Sequence, residues 1–296
     1  HPVLLGNPDR LRRMATRLKL DLTGIELIDM RADQEQGRRA TYAKHLAEKR
    51  ARDGYTFQEA YDKMYERNYF GMMMVETGDA DAFITGLYTK YSNTIKVAKE
   101  VIGIREENST FGTMHIINSP KGVLYLADTL VNGDPNTDDL VDIAKLASRT
   151  VKFFNETPNI ALISYSNFGS DTAPGSLKVK NAVKRVQDEM PELCIDGEMQ
   201  IGYALNRELR DQKYPFSKLV GKDVNTLVFP NLTSARSAYK LLQMLSNDVE
   251  IIGPIQMGLN KPIHFTDSES SVRDIVNITA IATIDAYVEK IKQGKK

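Results

Sequence analysis

Ser271 and Asp274 lie three residues apart, just where a long apolar stretch begins near the end of the chain. A hydroxyl and a carboxylate at this spacing can form a capping box at the start of a helix, where the helix dipole also favours negative charge. The same carboxylate could act as a general base and take a proton from a thiol. The two roles are compatible, so Asp274 is both a predicted helix cap and a candidate catalytic residue.

A second group of polar residues follows the apolar run 160–163, within the sequence SYSNFGS. In open α/β sheets ligands bind at the carboxyl ends of strands, where hydroxyl, amide and backbone N–H groups can hold an anionic or carbonyl oxygen. The same residue types also serve in turns and helix caps, and that alternative stays open. The candidate ligand-binding residues of this loop are Ser164, Ser166, Asn167, Gly169 and Ser170.

The remaining motifs give weaker indications of a catalytic or binding site. Asp196 and Glu198 could serve acid–base catalysis or cap a helix. The sequence has neither the G-x-G-x-x-G nor the G-x-x-x-x-G-K-[ST] fingerprint of nucleotide sites. Its four histidines are isolated and lack metal-ligand spacing, so no metal site is predicted. The single cysteine, Cys194, excludes an internal disulfide and is interpreted as a buried structural thiol in a cytoplasmic protein.

These residues need elements to position them, and short apolar runs alternate with helical patterns along the chain. This alternation predicts a mostly parallel sheet covered by helices on both faces. Residues 112–117 and 123–127 instead predict an antiparallel hairpin, whose turn contains Pro120 and Gly122. The last helix, about 271–290, has apolar residues nearly all round and is predicted to be buried.

The length and charge of the chain limit the number of domains and the kinds of partner that can be expected. A chain of 296 residues exceeds the size at which one hydrophobic core keeps growing, so two domains are expected. Basic and acidic residues number 39 each, which gives no electrostatic reason to expect nucleic acid or a membrane as partner. The apolar runs are too short to span a bilayer, and no signal peptide is visible. The chain begins at His1, close to a strand, as expected for a piece of a longer cytoplasmic protein.

Over essentially its whole length the sequence resembles the phosphate acetyl/butyryltransferase family. The motifs that carry the resemblance are NYFGMMMV, GDAD, ADTLVN, ISYSNFGS, DGEMQ and GPIQMGLNKP. More narrowly, the chain is similar to the C-terminal domain of hybrid NADP-dependent malic enzymes. Asn167 and Phe168 match that branch, because the transferases usually have Thr-Lys at these positions.

The resemblance implies a fold of two α/β/α domains with a cleft between them, an architecture like that of isocitrate and isopropylmalate dehydrogenases. The first domain would comprise residues 1–110 plus 256–296, and the second, which forms a dimer, residues 111–255. It also implies acetyl-CoA or a related acyl-CoA as ligand, a malic enzyme domain of the same chain as partner, and a homodimer or larger homo-oligomer.

The family's transferases move an acyl group between CoA and phosphate, and a carboxylate deprotonates the CoA thiol. By resemblance that base falls on Asp274, and two phosphate-binding arginines fall on Arg50 and Lys96. A Ser-Arg pair of the family falls on Asp267 and Ser268, which do not match it. The loop before this pair adds further expected acetyl-CoA- and phosphate-binding residues: Gly253, Pro254, Gly258 and Lys261.

The mismatch at Asp267 and Ser268 has an electrostatic consequence. Serine lacks the guanidinium fork that binds phosphate through two hydrogen bonds. A carboxylate about 4 Å from a phosphate costs roughly 4 kcal/mol per unit charge at an effective dielectric constant of about 20. Weak or absent transacetylase activity with retained acetyl-CoA binding is therefore predicted.

The predicted function is an acetyl-CoA-binding regulatory and oligomerisation domain of an NADP-dependent malic enzyme, whose N-terminal part would convert malate to pyruvate. NADP and a divalent metal are expected only in that part, and no cofactor is expected in this segment. Allosteric regulation would need two states of different affinity for acetyl-CoA. One alternative is an active phosphate acetyltransferase, and another is a dimerisation domain with a vacant cleft.

Overall fold

The computed structural model describes residues 1–86, 91–246, 248–266, 270–292 and 294. It has a mixed α/β fold, as the alternation of strand and helix patterns predicts. The chain divides into two compact units, of which the first is His1–Gly103 with Lys261–Ile263 and Ala282–Lys296. The second is Ile104–Asn260 with His264–Ile281. The domain bounds expected from the family resemblance stay a prediction.

The first unit is mainly helical. Strands β1 (Val3–Leu5) and β2 (Glu26–Ile28) pair in parallel. The remaining elements of this part are α1 (Pro8–Arg17), α2 (Gln36–Lys49), α3 (Phe57–Lys63), α4 (Arg67–Thr77), β3 (Phe83–Gly86) and α5 (Tyr91–Val101), with 3-10 turns at Asp33–Glu35 and Ala51–Asp53. Helix α4 is its core, because residues 68–75 are all buried. The three consecutive methionines of this stretch therefore pack as core side chains.

The second unit is built on a six-stranded sheet with the order β7-β6-β8-β5-β4-β9. Its strands are β4 (Gly112–Ser119), β5 (Gly122–Ala127), β6 (Asn159–Ile163), β7 (Cys194–Met199), β8 (Thr226–Val228) and β9 (Glu250–Met257). The predicted hairpin is confirmed, because β4 and β5 are antiparallel with Ser119 opposite Gly122. Strand β9 is also antiparallel to β4, whereas the β5–β8, β8–β6 and β6–β7 pairs are parallel.

Helices cover this sheet, and their apolar stripes follow from the sequence. They are α6 (Thr137–Phe153), α7 (Pro174–Glu189), α8 (Ile201–Leu205), α9 (Arg207–Lys213) and α10 (Leu232–Leu245). The apolar stripe of α6, which repeats with helical spacing from Leu140 to Val151, is buried. A capping box between Asn136 and Asp139 starts this helix. Asn231 caps α10 by accepting from the Ser234 N–H.

The last two elements are β10 (Ile263–Thr266) and α11 (Val272–Lys292). The prediction that α11 is buried is wrong. One stripe, formed by Ile278, Ala282 and Ala286, is buried, whereas Val272 is 80% exposed and Val276 is 60% exposed. Four-residue spacing places the buried three on one face, and the other apolar side chains of the helix face solvent in the single chain.

Cys194 also departs from its prediction, because it is partly exposed rather than buried. Its Sγ lies 3.2 Å from the ammonium of Lys222. Among the residues that the structure describes, no helix combines the length and apolar character needed to span a bilayer. The described ranges likewise contain no cluster of His, Cys, Asp and Glu side chains arranged to hold a metal ion.

Candidate functional site

The second unit contains a cavity of about 660 Å³ between the edge strand β9, strand β4, helix α10 and the start of α11. We call it the second-unit cavity. Residues from four separate stretches of sequence meet in it, including three that the sequence singled out. The lining residues that matter below are His115, Tyr239, Lys240, Gly253, Pro254 and Asp274.

Asp274 lies in the first turn of α11 and forms the predicted capping box. Its Oδ2 accepts from the backbone N–H of Ser271 at 2.7 Å and from the Ser271 hydroxyl at 2.8 Å. The Asp274 N–H donates back to the Ser271 hydroxyl at 3.2 Å. The capping role is therefore confirmed, and the carboxylate also lines the cavity. Neighbouring Arg273 donates to Glu250 at 2.8 Å, so its charge is partly neutralised.

The backbone conformation at position 253, in the wall of the cavity, requires a glycine. Its φ is +141°, a conformation that side chains rarely permit. A Cβ built there would lie 2.8 Å from the Met114 carbonyl oxygen and 2.9 Å from Cδ2 of His115. Gly253 thus lets β9 approach the imidazole closely, and Pro254 follows it through a cis peptide bond.

His115 is the cavity residue that sequence reasoning missed. It is buried, and its ring stacks on Tyr239 with centroids 4.4 Å apart and an interplanar angle of 18°. Its Nδ1 lies 2.8 Å from the Thr129 hydroxyl. Burial, aided by the charges of Lys240 and Arg236, lowers the pKa of His115 to about 3, so the imidazole is neutral near pH 7. A histidine within the apolar strand sequence GTMHII was the available signal.

The first unit contains a smaller cavity of about 440 Å³, which we call the first-unit cavity. Arg50 and Lys96, the two expected phosphate ligands, both line it. The Arg50 guanidinium donates to the carbonyl oxygens of Glu100 at 2.7 Å and Lys99 at 2.5 Å, and also to Asp53 at 3.3 Å. Its donors thus cap the carboxyl end of α5.

Lys96 and Glu100 are two further charged residues that line the first-unit cavity. Lys96 is 68% exposed, and its ammonium lies 3.6 Å from Glu100. Glu100 also accepts hydrogen bonds from the hydroxyls of Tyr55, at 2.8 Å, and Tyr69. Burial and the hydrogen bond to Glu100 raise the pKa of Tyr55 to about 12. Both expected phosphate ligands are thus engaged with acidic or carbonyl oxygens of the same unit.

The serine-rich loop after β6 is satisfied by its own neighbours. The hydroxyls of Ser164 and Ser166 lie 3.1 Å apart, and Ser166 donates to Ser176 at 2.9 Å. The Asn167 amide oxygen accepts from the Gln200 N–H at 2.9 Å, which ties the loop to the end of β7. The Ser170 hydroxyl accepts from the Asn167 N–H at 3.0 Å.

Glu198 anchors the same loop from β7. Its side chain is fully buried, and its Oε1 accepts from the Gly169 N–H at 2.6 Å. Among the described residues Oε2 has no hydrogen-bond partner. The loop and Glu198 do not line the second-unit cavity. The turn-and-cap alternative for these residues therefore matches their contacts, and a ligand-binding role for them stays a prediction.

The remaining expected site residues divide into three cases. Gly258 has a φ of +96° and packs against Leu146, where a Cβ would approach to 3.0 Å. Lys261 belongs to the first unit. Asp267 and Ser268, on which the predicted loss of phosphate binding depends, lie outside the described residues.

The chain has clear relatives among known proteins. The family model for phosphate acetyl/butaryl transferases matches residues 1–283. The NADP-dependent malic enzyme of Escherichia coli is 34% identical over 291 residues, which cover 98% of this chain and 38% of that protein. The chain thus spans well under half of the malic enzymes that it matches.

Two further relatives match over most of their own length. The phosphate acetyltransferase of Bacillus subtilis is 30% identical over 286 residues, 97% of this chain and 87% of that protein. A solved phosphotransacetylase structure from Streptococcus pyogenes is similar with a TM-score of 0.85 at 30% identity, covering 97% of this chain and 86% of that one.

Proposed function

The chain belongs to the phosphate acetyl/butaryl transferase family, and from that premise we propose that it is an acetyl-CoA-binding regulatory and oligomerisation segment of an NADP-dependent malic enzyme. In this proposal it has little or no transacetylase activity of its own. The malic enzyme part would supply oxidative decarboxylation of malate and would hold the NADP and divalent metal.

The observation that carries the proposal is the second-unit cavity. Its volume of about 660 Å³ falls in the range of small-molecule sites, roughly 300–1,000 Å³. Asp274, to which the family's thiol base corresponds, lines it together with Gly253 and Pro254. A neutral, polar group of an acyl-CoA is therefore a suitable occupant.

The state of the expected phosphate ligands supports weak transfer chemistry. The Arg50 guanidinium donates hydrogen bonds to two carbonyl oxygens and a carboxylate, and Lys96 forms an ion pair with Glu100. A lysine contributes only a point charge where an arginine gives a fixed fork, so the remaining hold on orthophosphate is weak. The similarity to malic enzymes over 98% of the chain supports the regulatory context.

The test measures binding and turnover on the same preparation. We expect acetyl-CoA to bind the chain in calorimetry, while acetyl phosphate formation from acetyl-CoA and phosphate stays far below that of the Bacillus subtilis enzyme run in parallel. In the protein expressed from its full gene, acetyl-CoA should change the rate of malate oxidation. Turnover comparable to the Bacillus enzyme, or no effect of acetyl-CoA on malate oxidation, would overturn the proposal.

One observation favours the alternative, an active phosphate acetyltransferase. The capping box uses only Oδ2 of Asp274, and the same carboxylate lines a cavity large enough for substrate. Because Oδ1 is not part of that box, Asp274 can cap α11 and still accept a thiol proton. The acetyl phosphate assay described above separates this alternative from the regulatory proposal.

A further inference from the structure

A hydrogen-bonded chain connects a buried carboxylate to the imidazole at the wall of the second-unit cavity. The carboxylate is Asp128, which is 3% exposed. Its Oδ1 accepts from the Thr113 N–H at 2.9 Å, and its Oδ2 accepts from the backbone and side-chain N–H groups of Asn132, both at 2.7 Å. Because N–H groups can only donate, Asp128 is the acceptor in each of these hydrogen bonds.

Thr113 is the first link after Asp128. Its hydroxyl lies 3.0 Å from Asp128 Oδ1, and a carboxylate can only accept, so the hydroxyl proton of Thr113 points to Asp128. The hydroxyl oxygen of Thr113 also lies 3.0 Å from the hydroxyl oxygen of Thr129. The Thr129 hydroxyl also lies 3.4 Å from the Thr113 carbonyl oxygen, which can only accept. With the proton of Thr113 directed to Asp128, the proton of Thr129 is therefore directed to Thr113.

Thr129 then fixes the tautomer of His115. Its single hydroxyl proton is directed to Thr113, so its oxygen can only accept from the imidazole nitrogen 2.8 Å away. His115 therefore carries its proton on Nδ1. A neutral imidazole with a proton on Nδ1 has a lone pair on Nε2. Within the described ranges no residue bonds Nε2, and His115 lines the cavity.

The geometry holds this ring from three sides. Tyr239 stacks on one face, Thr129 holds Nδ1, and the glycine at 253 leaves room for Cδ2. A ring fixed in this way has little orientational freedom to lose when a ligand binds. Such preorganisation is expected of a group that recognises a ligand.

The charged residues that line the cavity indicate which chemical group of a ligand it can bind. Among the described lining residues, three carboxylates outnumber two cations: Asp248, Glu250 and Asp274 against Lys240 and Arg273. A phosphate here would face an excess of negative charge and would be repelled. An uncharged group with an N–H donor is favoured instead.

We propose that Nε2 of His115 is the hydrogen-bond acceptor with which the second-unit cavity binds an amide N–H in the uncharged arm of an acyl-CoA. The phosphates of that ligand lie outside this cavity. The identity of the ligand rests on the proposed function, whereas the tautomer of His115 and its accessibility to an amide donor do not.

The tautomer is tested by nitrogen NMR on the whole chain with ¹⁵N-labelled histidine, using the His115→Gln spectrum to assign the signal. We expect a protonated Nδ1 and an unprotonated Nε2. Thr129→Val keeps the shape but removes the acceptor, and should increase the population protonated on Nε2. Thr226→Val, at a buried threonine of strand β8, should leave the His115 signal unchanged. A proton on Nε2 in the unaltered chain overturns the proposal.

Recognition is tested by calorimetry with two probes, acetyl-CoA and pantetheine, which has the amides but no phosphate. His115→Phe keeps an aromatic ring next to Tyr239 and removes the acceptor, so both probes should bind about tenfold more weakly, the size of one neutral hydrogen bond. His115→Gln should recover part of the loss, because its amide oxygen can accept. Thr129→Val, which keeps the imidazole, serves as the second variant if the phenylalanine chain does not fold.

The outcomes separate this inference from the proposed function. Unchanged affinity of folded His115→Phe for both probes overturns the role of His115 and leaves acetyl-CoA binding intact. Binding of pantetheine that depends on His115, without binding of acetyl-CoA, overturns the proposed ligand and supports the acceptor. Failure of both probes to bind the unaltered chain overturns both.

Discussion

At the residue scale, Asp274 caps α11 and is also the residue proposed to act as the thiol base. Asp274→Asn should lower stability by about 0.5–1 kcal/mol, because the charge at the start of α11 is lost. Residual acetyl phosphate formation should fall at least tenfold, while acetyl-CoA binding is kept. Asp139→Asn is the matched control, since Asp139 completes the capping box of α6 and does not line the cavity. Equal losses of turnover in the two variants would argue against a catalytic Asp274.

The backbone at Gly253 gives a second prediction. Gly253→Ala should destabilise the chain by about 1–3 kcal/mol, because φ is +141° and the new Cβ would press on the Met114 carbonyl and on His115. Gly175→Ala is the control, because Gly175 lies in α7 with nothing near its Cβ position. It should be neutral or stabilising by up to about 1 kcal/mol. Chemical denaturation of both variants checks the difference.

The sequence predicts those parts of the site whose interacting residues are close together along the chain. The spacing of Ser271 and Asp274 reports a capping box directly, because both partners belong to one helix turn. The role of His115 depends on Tyr239 and Thr129, which reach it only through the sheet order and the packing of α10. Sequence spacing carries no information on such contacts, so in the sequence His115 is only an isolated histidine.

Arg50 joins two helices at the scale of elements. It follows α2 and donates to the last carbonyl groups of α5. Arg50→Ala should therefore cost about 1–3 kcal/mol, because hydrogen bonds from a charged donor are lost and the carbonyl groups lose their cap. Arg52→Ala, at an exposed neighbouring position, should change stability by less than about 0.5 kcal/mol. A loss of phosphate affinity without a loss of stability would instead favour the family-derived role.

Glu100 makes the stability of the first unit depend on pH. Burial alone would raise the pKa of Glu100, but hydrogen bonds from Tyr69 and Tyr55, together with the charges of Lys63 and Lys96, hold the pKa below its ordinary value. A carboxyl whose pKa is lower in the folded state adds stability above its unfolded pKa of about 4.3. That stability is lost as the pH falls toward the folded pKa.

Replacing Glu100 removes this pH dependence. Glu100→Gln should lower the thermal midpoint at pH 7 more than at pH 3, so the acid limb of the stability profile becomes shallower. Glu26→Gln, at an exposed position of β2, should leave the shape of the profile unchanged. A Glu100→Gln profile parallel to that of the unaltered chain would contradict the assignment. Thermal unfolding at several pH values measures it.

The sequence predicts elements better than their burial. The hairpin β4–β5 follows from its turn residues, and the stripe of α6 follows from its periodicity, because each pattern is contained in one element. Helix α11 has an apolar sequence on most faces, yet only the stripe through Ile278 and Ala282 is buried. Composition shows that a helix can be buried, but not which surfaces are available to cover it.

The exposed apolar end of α10 bears on the whole molecule. Met244 is 72% exposed and Leu245 is 77% exposed, which is unusual for adjacent large side chains in a monomer. If the chain forms the proposed homo-oligomer through this surface, Met244→Glu combined with Leu245→Glu should reduce the mass measured by light scattering. Leu18→Glu, on an exposed side chain of the first unit, should leave the mass unchanged. An unaltered mass in both variants would exclude the end of α10 as the contact.

The first unit is assembled from segments that lie far apart in the sequence, because Ala282–Lys296 belongs to it together with His1–Gly103. During translation His1–Gly103 is therefore synthesised long before Ala282–Lys296, which completes the same unit. The second unit, apart from its own final stretch, is synthesised in the interval. A released chain that ends at residue 281 should therefore resist protease in the second unit, whereas His1–Gly103 is still digested.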